Sequence, residues 1–140
     1  MPAVARSVIR AYTARMTDDA PYAPAAYAKL LVGDAVRATS FYTALGFELV
    51  HRDPVFVHLR WARHAELFLV ATPAGLGLAG PRGVGVILCF DAREVLLETI
   101  AERAQSVGAS VDGPRSQPWH TRELMVVDPE GYRLSFFSPD

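Results

Sequence analysis

The sequence predicts an α+β fold of two tandem βαβββ modules, with the helices on the outer face of the sheet and an inner face that either curls around something or pairs with another subunit. The order strand–helix–strand–strand–strand occurs twice, and a linker rich in Gly and Pro separates the two copies. One helix per module covers only one face of a sheet, so the other face is left open. At 140 residues the chain suits one domain. We expect that domain at residues 26–140, with module one at 26–72, the linker at 73–83 and module two at 84–139.

The elements of module one follow from periodicity and capping residues. Residues 27–32 alternate as a half-buried strand does. Asp34 is a good helix N-cap, and Gly46 a good C-cap for the helical pattern between them. Three short strands are then predicted to begin at Phe47, Val55 and Ala65.

Module two repeats this plan. Residues 84–90 are predicted as a strand, Asp91 as the N-cap of a helix and Gly108 as its end. Three more strands are predicted at residues 109–112, 122–127 and 132–137. The last two are joined by the turn Asp128-Pro129-Glu130-Gly131. In that turn Asp128 can accept bonds from the backbone ahead, Pro129 presets φ, and Gly131 tolerates a positive φ.

Composition excludes several classes of function. The formal net charge of −1 gives no argument for a nucleic acid or an anionic membrane as partner. The single cysteine, Cys89, excludes an internal disulfide, and its apolar surroundings favour a buried, inert thiol. No apolar stretch approaches the roughly 20 residues that span a bilayer. Arginines among residues 1–25 interrupt the continuous apolar core that a secretory signal needs, so we expect a cytoplasmic protein. We expect residues 1–25 to form a flexible or short helical leader.

The period of two assigns strand residues to the covered or the open face. The covered face is predicted to hold Leu30, Val32, Leu67, Leu69, Leu124, Val126, Leu134 and Phe136. The open face is predicted to hold Tyr27, Lys29, Glu66, Phe68, Val86, Leu88, Glu123, Met125, Arg133, Ser135 and Phe137. Aromatic and apolar walls with a few polar groups are typical of a small-molecule pocket. The predicted ligand-binding residues are Tyr27, Lys29, Phe56, His58, Glu66, Phe68, Trp119, Met125, Arg133, Ser135 and Phe137.

The Asp-capped helix ending FYTALGF and the DPEG hairpin together resemble the vicinal oxygen chelate superfamily, the group of glyoxalases, bleomycin-resistance proteins and extradiol dioxygenases. The resemblance covers about residues 26–139 and implies modules that curl a mixed sheet into half-barrels around a cavity. Members are usually dimers, whose cavity is often built across modules or subunits. It also implies one divalent metal held by His, Gln or Glu on the first and last strands of each module. The matching positions are Tyr27, Glu66, Val84 and Ser135. Only Glu66 among them is a good ligand for such a metal.

The histidines offer no compact pair of metal ligands. His51 and His64 fall at strand ends or turns, where we expect them to be solvated. His58 shares a strand face with Phe56 and could line a pocket, although a surface position is favoured. His120 precedes a strand and is the best placed of the four. No phosphate loop and no nucleophile-elbow motif is present, and a structural role is favoured for Glu123.

Aromatic lining without the metal ligands resembles the antibiotic-sequestering members of this family. We therefore expect a homodimer that binds an aromatic or glycopeptide antibiotic without metal or cofactor. Trp119 is expected either as a lid over the cavity or packed on a domain edge or dimer interface. Three alternatives stay open: a metal-dependent isomerase, lyase or dioxygenase with a displaced ligand set, a metal-free catalyst built on Glu66 or His120, and a metabolite sensor or carrier.

Overall fold

The computed structural model describes residues 26–62, 65–73, 78, 80 and 82–140. The predicted leader and residues 74–77, 79 and 81 of the predicted linker lie outside this part. In chain order the elements are β1 (Ala28–Val32), α1 (Ala35–Leu45), β2 (Glu48–Arg52), β3 (Phe56–Trp61), β4 (Ala65–Ala71), β5 (Ile87–Asp91), α2 (Leu97–Ser106), β6 (Ser110–Ser116), β7 (Thr121–Val127) and β8 (Arg133–Pro139). The βαβββ order thus occurs twice, as predicted.

Each module forms one four-stranded mixed sheet. The first sheet has the order β1-β4-β3-β2 and the second the order β5-β8-β7-β6. In both, the first strand runs parallel to the last strand of its module, and the other neighbours are antiparallel. The predicted α+β class and the two tandem modules are therefore confirmed. Neither sheet closes into a barrel within the described ranges.

The helix of module one begins and ends where the capping residues predict. The Asp34 carboxylate accepts a hydrogen bond from the Arg37 amide at 2.9 Å. Gly46 follows the last turn with φ of 118°, a left-handed conformation that glycine adopts at little cost. The helix thereby turns Phe41, Tyr42 and other apolar side chains onto the sheet.

The helix of module two departs from the prediction at its start. Asp91 ends β5 instead of capping the helix, and its carboxylate accepts a bond from the Arg93 amide at 2.9 Å. The helix begins only at Leu97, after a turn, and its N-cap residue Leu96 makes no side-chain cap bond. The aspartate is therefore used by a local turn, and the helix starts six residues later than Asp91.

The first strand of module two is also shorter than predicted. Gly83 and Gly85 have positive φ, and the Val86 amide donates to the Gly83 carbonyl at 3.0 Å. This turn delays β5 to Ile87.

One hydrophobic core joins the helix-covered faces of both sheets. All eight residues predicted for the covered face are buried. Across the modules, the Phe47 ring packs on Phe90 with centroids 5.2 Å apart, and Trp61 packs on Phe136 at 5.0 Å. The modules are thus packed through their covered sides. In the part of the chain that is described, no helix is both long and apolar enough to span a membrane.

The DPEG turn fixes one module against the other. Asp128 accepts backbone bonds from Glu130 at 2.9 Å and Tyr132 at 2.8 Å, as predicted for this turn. Its other oxygen accepts from the Tyr42 hydroxyl of α1 at 2.5 Å. Glu130 in turn accepts from the Gly33 amide at 2.6 Å, at the start of the helix in module one. The turn therefore positions the second sheet relative to β1.

Candidate functional site

The open face of the first sheet carries an aromatic cluster, which we define as Tyr27, Phe56, His58 and Phe68. Phe68 lies at its centre. The Tyr27 ring contacts it with centroids 4.7 Å apart, and the Phe56 ring with centroids 5.1 Å apart. The His58 imidazole stacks on Phe68 at 4.4 Å with only 9° between the two planes. The cluster forms because His58 and Phe68 are direct partners in the β3–β4 register, so their side chains leave the sheet together.

A buried ionic network lies beside the aromatic cluster. The Glu66 carboxylate contacts the His58 Nε2 atom and accepts from the Arg60 Nε–H at 2.7 Å. An ionised carboxylate only accepts, so the proton of this His58 contact lies on Nε2. Burial alone would raise the pKa of the Glu66 carboxyl, but the bonds from His58 and Arg60 outweigh it and lower the pKa. The network therefore holds Glu66 as an anion.

Arg60 was missing from the predicted ligand-binding set, although it shares its strand face with Phe56 and His58. Its importance comes from register, because Arg60 lies directly opposite Glu66 in the β3–β4 ladder. The shared face was visible in the sequence. The pairing of Arg60 with Glu66 could not be predicted from the sequence, since it depends on the turn between the two strands.

Burial separates the floor of this face from its accessible edge. The side chains of His58 and Glu66 have no exposed area, and Phe68 is also buried. The favoured surface position of His58 is therefore wrong, because the cluster encloses its ring. Tyr27 is 52% exposed, and the Lys29 ammonium lies 5.9 Å from the centre of its ring. Tyr27 and Lys29 are the parts of this face that a ligand would meet first.

The open face of the second sheet is more polar and less filled. Cys89 and Met125 flank Ser135 in the register of β5, β8 and β7. Ser135 is buried, Met125 and Phe137 are half-buried, and Cys89 is exposed. The predicted residues Met125, Ser135 and Phe137 thus share one face, which is separate from the aromatic cluster.

Trp119 is held at the edge of this second face by Glu123. The indole Nε1–H donates to the Glu123 carboxylate at 2.9 Å, and the Thr121 hydroxyl bonds the same oxygen at 3.0 Å. Trp119 is 62% exposed, and its role as a lid or as part of a dimer interface stays a prediction. Glu123 therefore helps to position Trp119 and Thr121.

Two predictions about β5 are wrong. Leu88 pairs with Leu134 on the covered side, and so does not face the open side as predicted. Val86 lies before the strand begins. The residues of β5 that share the open face with Ser135 are Ile87 and Cys89, and Cys89 is therefore exposed instead of buried.

Of the other two described histidines, His51 lies opposite His58 in the β2–β3 register. His120 lies exposed in the turn before β7, with φ of 66°. His51 is partly exposed, with its Nε2 atom 3.8 Å from the Asp53 carboxylate. His64 lies outside the described residues.

A cavity of about 370 Å³ opens at the seam between the modules, where β1 meets β5 and β8. Lys29 of the first sheet and Arg133 of the second both line it, together with Val84, Tyr132 and other residues. The Tyr132 hydroxyl donates across the seam to the Leu31 carbonyl at 2.8 Å. The seam cavity therefore brings together one predicted ligand-binding residue from each sheet.

The residues present do not fit the divalent metal that the resemblance implies. Glu66 is already engaged by Arg60 and His58. Val84 has no donor atom and precedes β5, while the neutral oxygens of Tyr27 and Ser135 are weak ligands for such a metal. Across the described ranges, no group of three His, Cys, Asp or Glu side chains is placed to hold a metal ion.

Known structures share this architecture at low sequence identity. A bleomycin-binding protein complexed with bleomycin is 23% identical, with a TM-score of 0.62, over 84% of this chain and 100% of the other. A glyoxylase/bleomycin resistance protein/dioxygenase domain from Frankia sp. EAN1pec is 18% identical, with a TM-score of 0.69, over 85% and 99%. A lactoylglutathione lyase from Agrobacterium tumefaciens is 20% identical, with a TM-score of 0.61, over 84% and 94%. At these identities the likeness concerns the fold.

The sequence identifies the family more specifically than these structural comparisons do. No curated protein matches the chain. The model of the Glyoxalase/Bleomycin resistance protein/Dioxygenase superfamily matches residues 25–136, which includes module one, most of module two, the aromatic cluster and the DPEG turn. The chain therefore belongs to the glyoxalase/bleomycin resistance protein/dioxygenase superfamily.

Proposed function

We propose that this protein binds a small aromatic molecule on its open faces and holds it without a metal ion and without chemical change. The observation that carries the proposal is the aromatic cluster, in which the half-exposed ring of Tyr27 is backed by the buried ring of Phe68. A planar ligand stacked on such a ring gains about 0.5–1.5 kcal/mol beyond the burial of its surface. Because Phe68 is fixed by its contacts with Phe56 and His58, little ordering of the wall is needed when the ligand arrives.

The ligand that we infer is a planar aromatic or glycopeptide antibiotic, sequestered in the cytoplasm as a means of resistance or self-immunity. Two observations support this choice. The donor set around Glu66 is closed by Arg60 and His58, which favours binding over metal-dependent catalysis. A protein whose structure contains bound bleomycin also has this fold, although that likeness carries no residue roles.

The functional unit that we propose is a homodimer. Apolar side chains remain exposed around the seam between the modules, including Leu31 of β1 and Ile87 of β5. Exposed apolar side chains of this kind are often covered in a protein interface. Sedimentation equilibrium tests this part of the proposal, with twice the mass of one chain as the expected result and the mass of one chain as the contradicting one.

Tryptophan fluorescence offers a direct test of binding. Trp119 is exposed beside the second open face, whereas Trp61 is buried in the shared core. Titration with a panel of planar and glycopeptide antibiotics should quench the wild type, and the Trp119→Phe variant should lose most of that response. Tyr27→Ala should weaken binding about tenfold, because the ligand loses the exposed ring of the wall. Val36→Ala, on the solvent side of α1, serves as the matched control and should bind normally.

Three results would contradict the proposal. One is a panel in which no compound binds. Another is conversion of a bound compound to a product, detected by mass spectrometry, which would favour the competing enzymatic function of the family. The third is stoichiometric metal in protein purified without chelator, combined with loss of binding when the metal is removed.

A further inference from the structure

The seam cavity differs from the aromatic cluster in its charge. Its described lining includes two cationic side chains, Lys29 and Arg133, and no acidic one. Both side chains are exposed, and neither takes part in an ion pair within the described ranges. Neighbouring arginines are different, since Arg60 is paired with Glu66 and Arg82 with Glu130. The seam cavity thus has uncompensated positive charge.

The frame that holds these two cations is rigid. Lys29 projects from β1 and Arg133 from the first residue of β8, so one comes from each module. The two strands are tied by the bond from the Tyr132 hydroxyl to the Leu31 carbonyl, and by the Arg82–Glu130 pair, whose carboxylate also binds the Gly33 amide. The bases of both side chains are therefore fixed relative to one another before any ligand binds.

The rest of the cavity is apolar and adjoins the aromatic cluster. Val84, Val86 and Leu88 supply aliphatic walls. The Lys29 ammonium lies 5.9 Å from the centre of the Tyr27 ring, so a ligand in contact with that ring has a cation within reach. A volume of about 370 Å³ falls within the ordinary range of small-molecule pockets. A flat apolar body with one anionic group matches this combination of surfaces.

We propose that the seam cavity binds the carboxylate of a planar aromatic acid, with Lys29 and Arg133 as its two anchors. The guanidinium of Arg133 offers paired N–H donors that match the two oxygens of a carboxylate, and Lys29 adds a third, charge-assisted bond. The aromatic body of the same ligand stacks on Tyr27. This inference rests on the proposed aromatic-binding function and narrows its ligand to an acid.

A matched pair of probes isolates the charge of the ligand. 1-Naphthoate and 1-naphthamide have the same ring system and nearly the same shape, but only the first is anionic. Calorimetric titration should show that the wild type binds naphthoate at least about tenfold more tightly than naphthamide, with a preference that shrinks as salt is added. Lys29→Met and Arg133→Met should each remove most of this preference, because each weakens naphthoate binding much more than naphthamide binding. Arg37→Met, which removes an exposed arginine from α1, should behave as the wild type.

The outcomes separate this inference from the function on which it rests. Equal binding of the two probes, with both dependent on Tyr27, refutes the acid subsite and leaves the aromatic site standing. Failure of both probes to bind at millimolar concentration also refutes the subsite, and the antibiotic panel then decides the function separately. A naphthoate preference that depends on Lys29 and Arg133 supports the subsite even if every antibiotic in the panel fails. Tighter binding of 1-naphthyl phosphate than of naphthoate would contradict the assignment of a carboxylate.

Discussion

The open face of module one is filled by its own side chains, whereas the same face of module two has more exposed and half-buried groups. In the first, buried Phe68 is packed between three rings, and the buried Glu66 carboxylate is bonded by Arg60 and His58. In the second, buried Ser135 lies between exposed Cys89 and half-buried Met125. The backbone plan is the same, since both modules pair their first strand in parallel with their last. The difference between the two faces therefore arises from the side chains. The open face of module one is largely buried and contributes to stability, whereas that of module two is more accessible.

The largest expected effect is the removal of the buried anion from the filled face. Glu66→Ala leaves Arg60 and His58 without their carboxylate, and breaking a buried pair in this way costs about 3–5 kcal/mol of unfolding free energy. The matched change in module two, Ser135→Ala, removes one small hydroxyl and should cost less than about 1 kcal/mol. Urea unfolding measures both. Equal losses in the two variants would show that the faces do not differ as described.

A smaller effect is expected in the pH dependence of the unfolding free energy. Glu66 of module one and Asp128 of module two contribute to it with opposite signs. The pKa of Glu66 is lowered, so its stabilisation is present above the ordinary glutamate pKa of about 4.3 and is lost as the pH falls through the folded value. For Asp128, burial raises the pKa and outweighs the bonds from Tyr42 and the backbone. Its contribution is present below the ordinary aspartate pKa of about 3.9 and is lost as the pH rises through the folded value.

Conservative amide variants separate these two contributions. Stability of Glu66→Gln should rise less steeply between pH 3 and 6 than that of the wild type. The variant lacks the Glu66 carboxyl, which stabilises the fold as the pH rises, and keeps Asp128, which acts in the opposite direction. Stability of Asp128→Asn should rise more steeply. Chemical unfolding at several pH values gives the slopes. Parallel curves for all three proteins would mean that neither carboxyl has a shifted pKa.

The fold could be predicted because most of its strands have a residue pattern that shows which side chains face the core. The strands β4, β7 and β8 each combine charged residues with buried apolar ones, as Glu66 stands beside Leu67 in β4. The apolar run at residues 84–90, which contains most of β5, has no charged residue to show which side chains face the core. Its register is fixed by the turn at Gly83 and by the pairing of Leu88 with Leu134, neither of which is visible in the local pattern. The misplacement of Cys89 follows from that missing signal.

The candidate site was predictable in its residue types and not in its connections. Tyr27 and Phe68 were assigned to the open face by parity, and they do meet there. The ion network was missed, because Arg60 and Glu66 meet only when the β3–β4 register is known. The seam cavity was missed for a related reason, since it depends on how one module packs on the other. Long-range packing of this kind has no local signature in one sequence.

The smallest expected effect concerns the thiol of the accessible face. Because Cys89 is exposed, one equivalent of an aromatic disulfide reagent should label the native protein without denaturant. Partial burial and the nearby charge of Glu123 raise the pKa of this thiol, so labelling should be slower than for a free thiol and should accelerate as the pH rises. Cys89→Ser should change the unfolding free energy by no more than about 0.5 kcal/mol. Labelling that appears only after unfolding would instead show a buried thiol.

The same reaction also reports how far a ligand extends across the two faces. Cys89 lies beside Ser135 on the face of module two, away from the aromatic cluster of module one. A ligand that spans both faces should protect Cys89 from the reagent, whereas one confined to Tyr27 and the seam cavity should leave the labelling rate unchanged. Labelling rates measured with and without saturating ligand distinguish these cases. Protection that persists in Tyr27→Ala at matched saturation would place the ligand chiefly on module two, which would make the filled face of module one a structural element alone.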